Sequence, residues 1–187
     1  WISNEYSLKR AHLLRSNYDC IISTSKSINI DNSKLDCRIE GLEHKSPAVV
    51  IIDKNYKLKS NVEILKNLKK RRILLFTNKQ NQKKEKHFKQ LGVKVIKLKQ
   101  FTINGILQKL NYLGYSRFLL ECGLTYLNYA IQQKAVNDLY VFKSSKKLKK
   151  SGINNSSNSV IKKIKLKNKI RVNLFEDTLY KENLTNV

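Results

Sequence analysis

The chain has 187 residues, 41% of them apolar and 28% charged, with one proline and a formal net charge of +24. That length suits one domain with a hydrophobic core and makes two cramped, and the apolar content excludes a disordered chain. No apolar run approaches the roughly 20 residues of a membrane-crossing helix, and the start, Trp1-Ile-Ser-Asn-Glu5, has no secretion-signal pattern, so a cytoplasmic protein without membrane partners is expected.

In chain order, Asn4–Asn17 is predicted as a helix capped by Ser3, with Glu5 in its first turn and Leu8, Ala11, Leu14 and Tyr18 on one face. Cys20–Ser23 is a short buried strand, followed by a polar loop from Thr24 to Glu43. Ala48–Ile52 is a continuous β-branched run, as in a strand covered on both faces of a parallel sheet. A helix is predicted around Ser60–Lys70 with Val62, Leu65 and Leu68 inward, then a strand over Arg72–Thr77. Lys79–Leu91 is polar and helix-compatible, stopped by Gly92, and Val93–Lys97 is another strand. Thr102 caps a helix striped by Ile103, Ile106, Leu107 and Leu110. Arg117–Glu121 reads as a strand, Leu124–Gln133 as a helix and Asp138–Lys143 as a strand. Lys143–Ser159 is a Lys, Ser and Asn-rich loop, and Val160–Leu166 with Ile170–Phe175 forms an antiparallel hairpin turning at Asn168. Strands alternating with helices predict an α/β fold with a mainly parallel central sheet flanked by helices.

The positive charge invites a polyanion partner, and a non-catalytic basic nucleic-acid-binding module is one reading. The excess of Lys over Arg, together with abundant Asn, Ile and Tyr, is also what AT-rich coding produces, and non-specific attraction to polyanions then suffices. The run Lys146-Lys147-Leu-Lys149-Lys150 has no interleaved aromatics and reads as a solvated loop. Cys20, Cys37 and Cys122 form no CxxC pair and lie near no histidine in sequence, so buried thiols are expected rather than a metal site. His12, His44 and His87 suggest no nucleophilic constellation. Arg15 and Arg38 bracket a strand and its loop; a planar guanidinium holds a phosphate through two parallel bonds, and plain surface charge fits them equally. Glu121-Cys-Gly123-Leu-Thr125 joins a strand to a helix, as phosphate-binding turns and ordinary β–α turns both do.

Several segments, in order, carry a family resemblance. They are Trp1-Ile-Ser, Ala11-His12-x-Leu14-Arg15, Asp19-x-Ile21, Ser27-x-x-x-Asp31, Leu35-x-x-Arg38 and Val50-x-x-Asp53, then Leu120-Glu121-x-Gly123-x-Thr125-Tyr-Leu127 and Val136-x-Asp138-Leu139. Together they resemble the reductase domain of the bifunctional riboflavin-biosynthesis proteins known as RibD. The resemblance implies a dihydrofolate-reductase-like fold and NADPH-dependent reduction of 5-amino-6-(5-phosphoribosylamino)uracil, with hydride passing to C1 of the sugar. It assigns Arg15 and Arg38 to the substrate phosphate, Leu35 to a substrate contact and Glu121 to a hydrogen bond with the substrate. It assigns Trp1, Ser27, Asp31, Thr77, Gly123, Leu124, Thr125, Tyr126, Leu127, Asn128 and Tyr129 to NADPH, and implies a homodimer.

The family's first strand and its upstream deaminase domain have no counterpart in the sequence, and the chain contains no methionine. One reductase domain over 1–187 is expected, as a piece of a longer polypeptide with a fused N-terminal deaminase. The family's Glu-Gly-Gly reads Glu121-Cys122-Gly123, placing a side chain where backbone is expected to approach the cofactor. A decayed reductase domain that supports a deaminase partner is the third reading.

Overall fold

The computed structural model describes residues 2–68, 70–146 and 160–185. The chain divides into two compact units, Leu13–Gly123 and a second made of Trp1–His12 with Leu124–Val187. Trp1 and most of the Lys143–Ser159 segment lie outside the described residues.

The Leu13–Gly123 unit is built on five parallel strands, β1 (Cys20–Thr24), β2 (Ala48–Ile52), β3 (Ile73–Thr77), β4 (Lys94–Lys97) and β5 (Phe118–Leu120), in the order β4-β3-β2-β1-β5. Ile21 pairs with Val49 on one side and Leu119 on the other, and Val49 pairs with Ile73. This register lines Ile21, Val49, Ile51, Ile73 and Leu75 on one face, where they pack with Ile28, Tyr56, Ile64 and Phe88 in a single buried cluster. The alternate residues Ile22, Val50, Leu74 and Phe76 are buried as well, so both faces are covered. Continuous β-branched runs are suited to that environment. Each such side chain contributes about 1.5–3 kcal/mol by leaving water.

Among the described residues, three α-helices belong wholly to this unit: α2 (Ser25–Asp31), α3 (Gln82–Gln90) and α4 (Ile103–Tyr112). α4 starts as predicted, with the Thr102 hydroxyl accepting from the Gly105 N–H at 3.1 Å, and it buries Ile103, Ile106 and Leu110. α3 buries Phe88 alone and turns its lysines outward; Gly92, at φ +94°, follows it in a conformation other residues rarely adopt. α2 replaces part of the loop expected over Thr24–Glu43. The Thr24 hydroxyl accepts from the Ser27 N–H at 3.2 Å, and left-handed Asn32 closes the helix on the Ile28 carbonyl. Of its two isoleucines only Ile28 is buried, while Ile30 is exposed, so no apolar stripe announces it.

The helix expected over Ser60–Lys70 is only a 3-10 segment, Glu63–Asn67. Val62, Ile64 and Leu65 all point inward, which a tight turn permits and one face of an α-helix does not. Asp53, buried at the end of β2, accepts from the Lys57 and Leu58 N–H groups at 2.7 Å each and from the Ser25 hydroxyl at 3.0 Å. This carboxylate ties the turn after β2 to the start of α2.

α1 (Glu5–Arg15) runs from one unit into the other. Its cap is Asn4 rather than Ser3: the Asn4 side-chain oxygen accepts from the Ser7 N–H at 2.9 Å. The choice follows from Asp177, which takes the Asn4 N–H at 3.0 Å and the Ser7 hydroxyl at 2.7 Å and so fixes Asn4 at the helix start. The second unit also holds α5 (Leu124–Gln132) and an antiparallel pair, β6 (Asp138–Lys143) with β7 (Thr178–Asn183). The expected antiparallel element is therefore present with different partners. Val160–Leu166 and Ile170–Phe175 do not pair with each other, because buried Glu182 of β7 captures the Lys167 and Asn168 N–H groups at 2.6 and 2.8 Å.

These two carboxylates give the second unit an acid limit. Hydrogen bonds from Asn4 and Ser7 hold Asp177 below its ordinary 3.8, and those from Asn168 and Lys167 hold Glu182 below 4.5. Because both folded values are depressed, the stability they contribute is complete above the ordinary values and is lost as pH falls through the folded ones. Thermal unfolding followed from about pH 6 to about pH 3 should show a flat midpoint that drops only below about pH 4.5, and the pair Asp177→Asn and Glu182→Gln should flatten that drop. An unchanged drop in the double variant would assign the acid limit elsewhere.

Candidate functional site

The chain enters the sheet at β1, builds outward through β2 and β3 to β4, and returns to the opposite side of β1 as β5. Chain direction thus diverges on the two sides of β1, and in open α/β sheets the carboxyl ends of strands at such a switch point form the ligand crevice. Here those ends are Thr24, which leads into α2, and the turn Glu121–Gly123. Ser27 and Gly123 meet across the switch: the Gly123 N–H donates to the Ser27 hydroxyl oxygen at 3.1 Å, and that hydroxyl lies 3.0 Å from the Thr24 hydroxyl. Gly123 is exposed, and a Cβ there would meet nothing nearer than the Ser27 oxygen at 3.7 Å. The turn is therefore open rather than strained, with the Thr24 and Ser27 hydroxyls beside it, small polar groups of the kind that bind phosphate oxygens.

Glu121 leads to a second cluster. Arg15 at the end of α1 grips it with both arms, Nε to Oε1 and Nη2 to Oε2, each at 2.8 Å, and gives its remaining arm to the Asp36 carbonyl at 3.0 Å. The pair is largely withdrawn from water, with Arg15 14% and Glu121 29% exposed. Burial alone would favour losing the Arg15 charge, but Glu121 and Asp36 outweigh it and raise the group above its ordinary value. Arg38 lies nearby on the same loop, its Nε 3.2 Å from the Asp36 carboxylate and its side chain 59% exposed. Arg15 and Arg38 thus both bind Asp36, Arg15 reaches on to Glu121, and the Arg38 side chain is the more exposed of the two arginines.

Sequence reasoning missed Arg71. This half-buried side chain, just before β3, donates to the Leu35 carbonyl at 2.6 Å, to the Lys34 carbonyl and, more weakly, to the Pro47 carbonyl at 3.4 Å. Burial lowers its pKa, and nearby Asp36 opposes that. Leu35 itself is 5% exposed within the core cluster and sits at φ +51°. Its side chain is committed to the interior, so what it presents to the loop is backbone.

Asp31 is the exposed last residue of α2. Thr77 is fully buried at the end of β3, where its hydroxyl donates to the Lys54 carbonyl at 3.1 Å. Leu124, Thr125, Tyr126, Leu127, Asn128 and Tyr129 form the first turns of α5, with Thr125 exposed and the two tyrosine rings 5.5 Å apart. Cys20 is an inert buried thiol, pushed up to about 12 by burial and the adjacent Asp19. Among the described residues, no three His, Cys, Asp or Glu side chains are arranged to hold a metal, and no helix is long and apolar enough to cross a membrane.

A model of the RibD C-terminal domain matches residues 1–150. The chain belongs to the RibD C-terminal domain family. The riboflavin biosynthesis protein RibD of Aquifex aeolicus (strain VF5) is 29% identical over 142 residues, covering 76% of this chain and 39% of the relative. That of Actinobacillus pleuropneumoniae is 24% identical over 146 residues, covering 76% and 38%. The chain therefore spans about two fifths of the curated relatives it matches. Among solved structures, Acinetobacter baumannii RibD superposes with a TM-score of 0.78 at 17% identity, over 97% of this chain and 51% of that one. The riboflavin biosynthesis reductase Rib7 of Saccharomyces cerevisiae superposes at 0.75 with 19% identity, over 96% and 81%. The fold of this RibD C-terminal domain is thus the α/β, dihydrofolate-reductase-like one, and the five-stranded parallel sheet is its core.

Proposed function

We propose that this chain is the reductase domain of a riboflavin-biosynthesis enzyme, reducing 5-amino-6-(5-phosphoribosylamino)uracil with NADPH. The observation that carries this reading is the cluster beside the β1–β5 switch. There, Glu121 is held in both arms of Arg15, and Arg38 stands exposed on the adjoining loop.

The residues present fit a dinucleotide. Gly123 is open to close approach, and the Thr24 and Ser27 hydroxyls beside it are small polar groups suited to phosphate or ribose oxygens. Ser27, Asp31 and Gly123 would hold the cofactor, and the family resemblance adds Trp1 and Leu124–Tyr129; Thr77, which it also suggests, is fully buried with its hydroxyl on the Lys54 carbonyl and is left out of the proposed site. When bound, the nicotinamide supplies the hydride that reduces the sugar carbon. The chain's own contribution is positioning. Arg38 takes the substrate phosphate with its planar fork, and Arg15 holds the Glu121 carboxylate in one orientation so that it can accept from the substrate. Such a site needs no nucleophile.

We further read the chain as a single reductase domain of a cytoplasmic polypeptide, with a fused deaminase domain and a homodimeric assembly, by analogy with its relatives. The basic edge favours no separate nucleic-acid role. Lys83, Lys84, Lys86 and Lys89 on α3 and Lys94 and Lys97 on β4 are exposed without an aromatic platform, and β4 is a sheet edge, where lysines block unwanted strand pairing.

Titration with NADPH and NADH at moderate salt, followed by energy transfer from the single tryptophan, tests the cofactor half of the reading. Saturable, salt-tolerant binding that prefers NADPH is expected, with NADPH oxidation dependent on the phosphorylated substrate. Equal, weak signals erased by salt would reduce the interaction to attraction of anions by the net charge.

A further inference from the structure

We infer that Arg71 is a positioning residue for substrate capture, acting as a clamp on the 34–38 loop that presents Arg38; the inference rests on the reductase reading. Leu35 occupies the left-handed region at φ +51°, where a leucine is strained. Something outside the loop must hold it there, and two guanidinium groups do. Arg71 binds the carbonyls of Lys34 and Leu35, and Arg15 binds the next carbonyl along, that of Asp36. Ser46 secures the far end by accepting from the Cys37 N–H at 3.0 Å. Three consecutive carbonyls, of residues 34 to 36, are thus taken by two arginines, and the exposed Arg38 stands two residues further on.

Arg71 also ties this loop to the sheet. It stands one residue before the Arg72 carbonyl that accepts from Val49, and its weaker bond reaches Pro47, just ahead of β2. A lysine cannot substitute for it, since a single ammonium does not offer the fixed planar fork that spans neighbouring carbonyls. Arg71 has no need to touch the substrate. Its effect passes through the backbone conformation that aims Arg38.

The test compares wild-type protein with Arg71→Lys and Arg71→Gln, using ribose 5-phosphate as the probe for the phosphate site and amide hydrogen exchange across residues 34–37. Both variants should bind ribose 5-phosphate about tenfold more weakly, raise KM for the substrate more than they lower kcat, and leave NADPH affinity within about twofold. Exchange at 34–37 should accelerate while amides of β1, β2 and β3 stay protected. A purely structural role would instead loosen the strands and weaken NADPH and phosphosugar binding together. Arg71→Lys with wild-type phosphosugar affinity and unchanged loop exchange overturns the clamp, as does general loss of protection in both variants. Wild-type protein that fails to bind ribose 5-phosphate overturns the reductase reading, and the exchange arm then still decides whether Arg71 holds the loop.

Discussion

Arg15→Ala is expected to lower stability by about 2–3 kcal/mol and to abolish most reductase activity. This guanidinium donates three hydrogen bonds, two to the Glu121 carboxylate and one to the Asp36 carbonyl. Removing it leaves a carboxylate that is only 29% exposed with its principal partner gone. Breaking a fully buried pair costs about 3–5 kcal/mol, and the residual exposure of Glu121 places this one lower. The direct measurement is a double-mutant cycle with Glu121→Gln by chemical denaturation. The pair should show a coupling of about 1–3 kcal/mol, and additive single effects would mean that the two residues act independently. For catalysis the expectation is equally specific. With Glu121 no longer held, kcat should fall together with substrate affinity, because in the proposed function the carboxylate has to be oriented in order to accept from the substrate.

Arg38→Ala is expected to do the reverse: little to stability and much to binding. Its side chain is 59% exposed and its ion pair to Asp36 at 3.2 Å is a surface interaction, so the fold should change by no more than about 0.5 kcal/mol. A two-armed bond to a phosphate is far stronger than one to a neutral group. Substrate affinity should therefore drop about 10- to 100-fold, equivalent to about 1.4–2.8 kcal/mol, while NADPH affinity is unchanged. Calorimetric titration of both ligands separates the two effects. Wild-type substrate affinity in this variant would remove Arg38 from the phosphate site, and parallel loss of both affinities would point to a disturbed loop instead.

The contrast between these arginines explains what was readable before the structure. Strands β1, β2 and β3 were legible because each contains a run of apolar, mostly branched residues buried on both faces, and such a run has few other stable environments. α4 was legible from Thr102 and a four-residue apolar stripe, three of whose members are buried. α2 was not, since its helix is specified by two short-range hydrogen-bonding events at Thr24 and Asn32 with one buried isoleucine between them. The antiparallel pairing was expected between Val160–Leu166 and Ile170–Phe175, which alternate like strands, whereas the pair is β6 with β7, and Glu182 of β7 takes the Lys167 and Asn168 N–H groups.

Within the candidate site, Arg15, Arg38, Glu121, Ser27 and Gly123 are visible in the sequence as residue types in a family-like order. Their pairing is not, because Arg15 and Glu121 are separated by 106 positions and Ser27 and Gly123 by 96. Arg71 left no trace at all: it binds backbone carbonyls, which every residue carries, so no partner side chain marks the contact. The sequence by itself determined strands β1 to β6 and the parallel α/β class, since these follow from periodicity and local residue chemistry, while the family followed from its resemblance in a series of short motifs. Only the tertiary structure decided which charges neutralise each other, which loop carbonyls are held and which arginine stays open to solvent. Those depend on the strand order that brings β5 back beside β1, a long-range choice set by burial of the whole sheet.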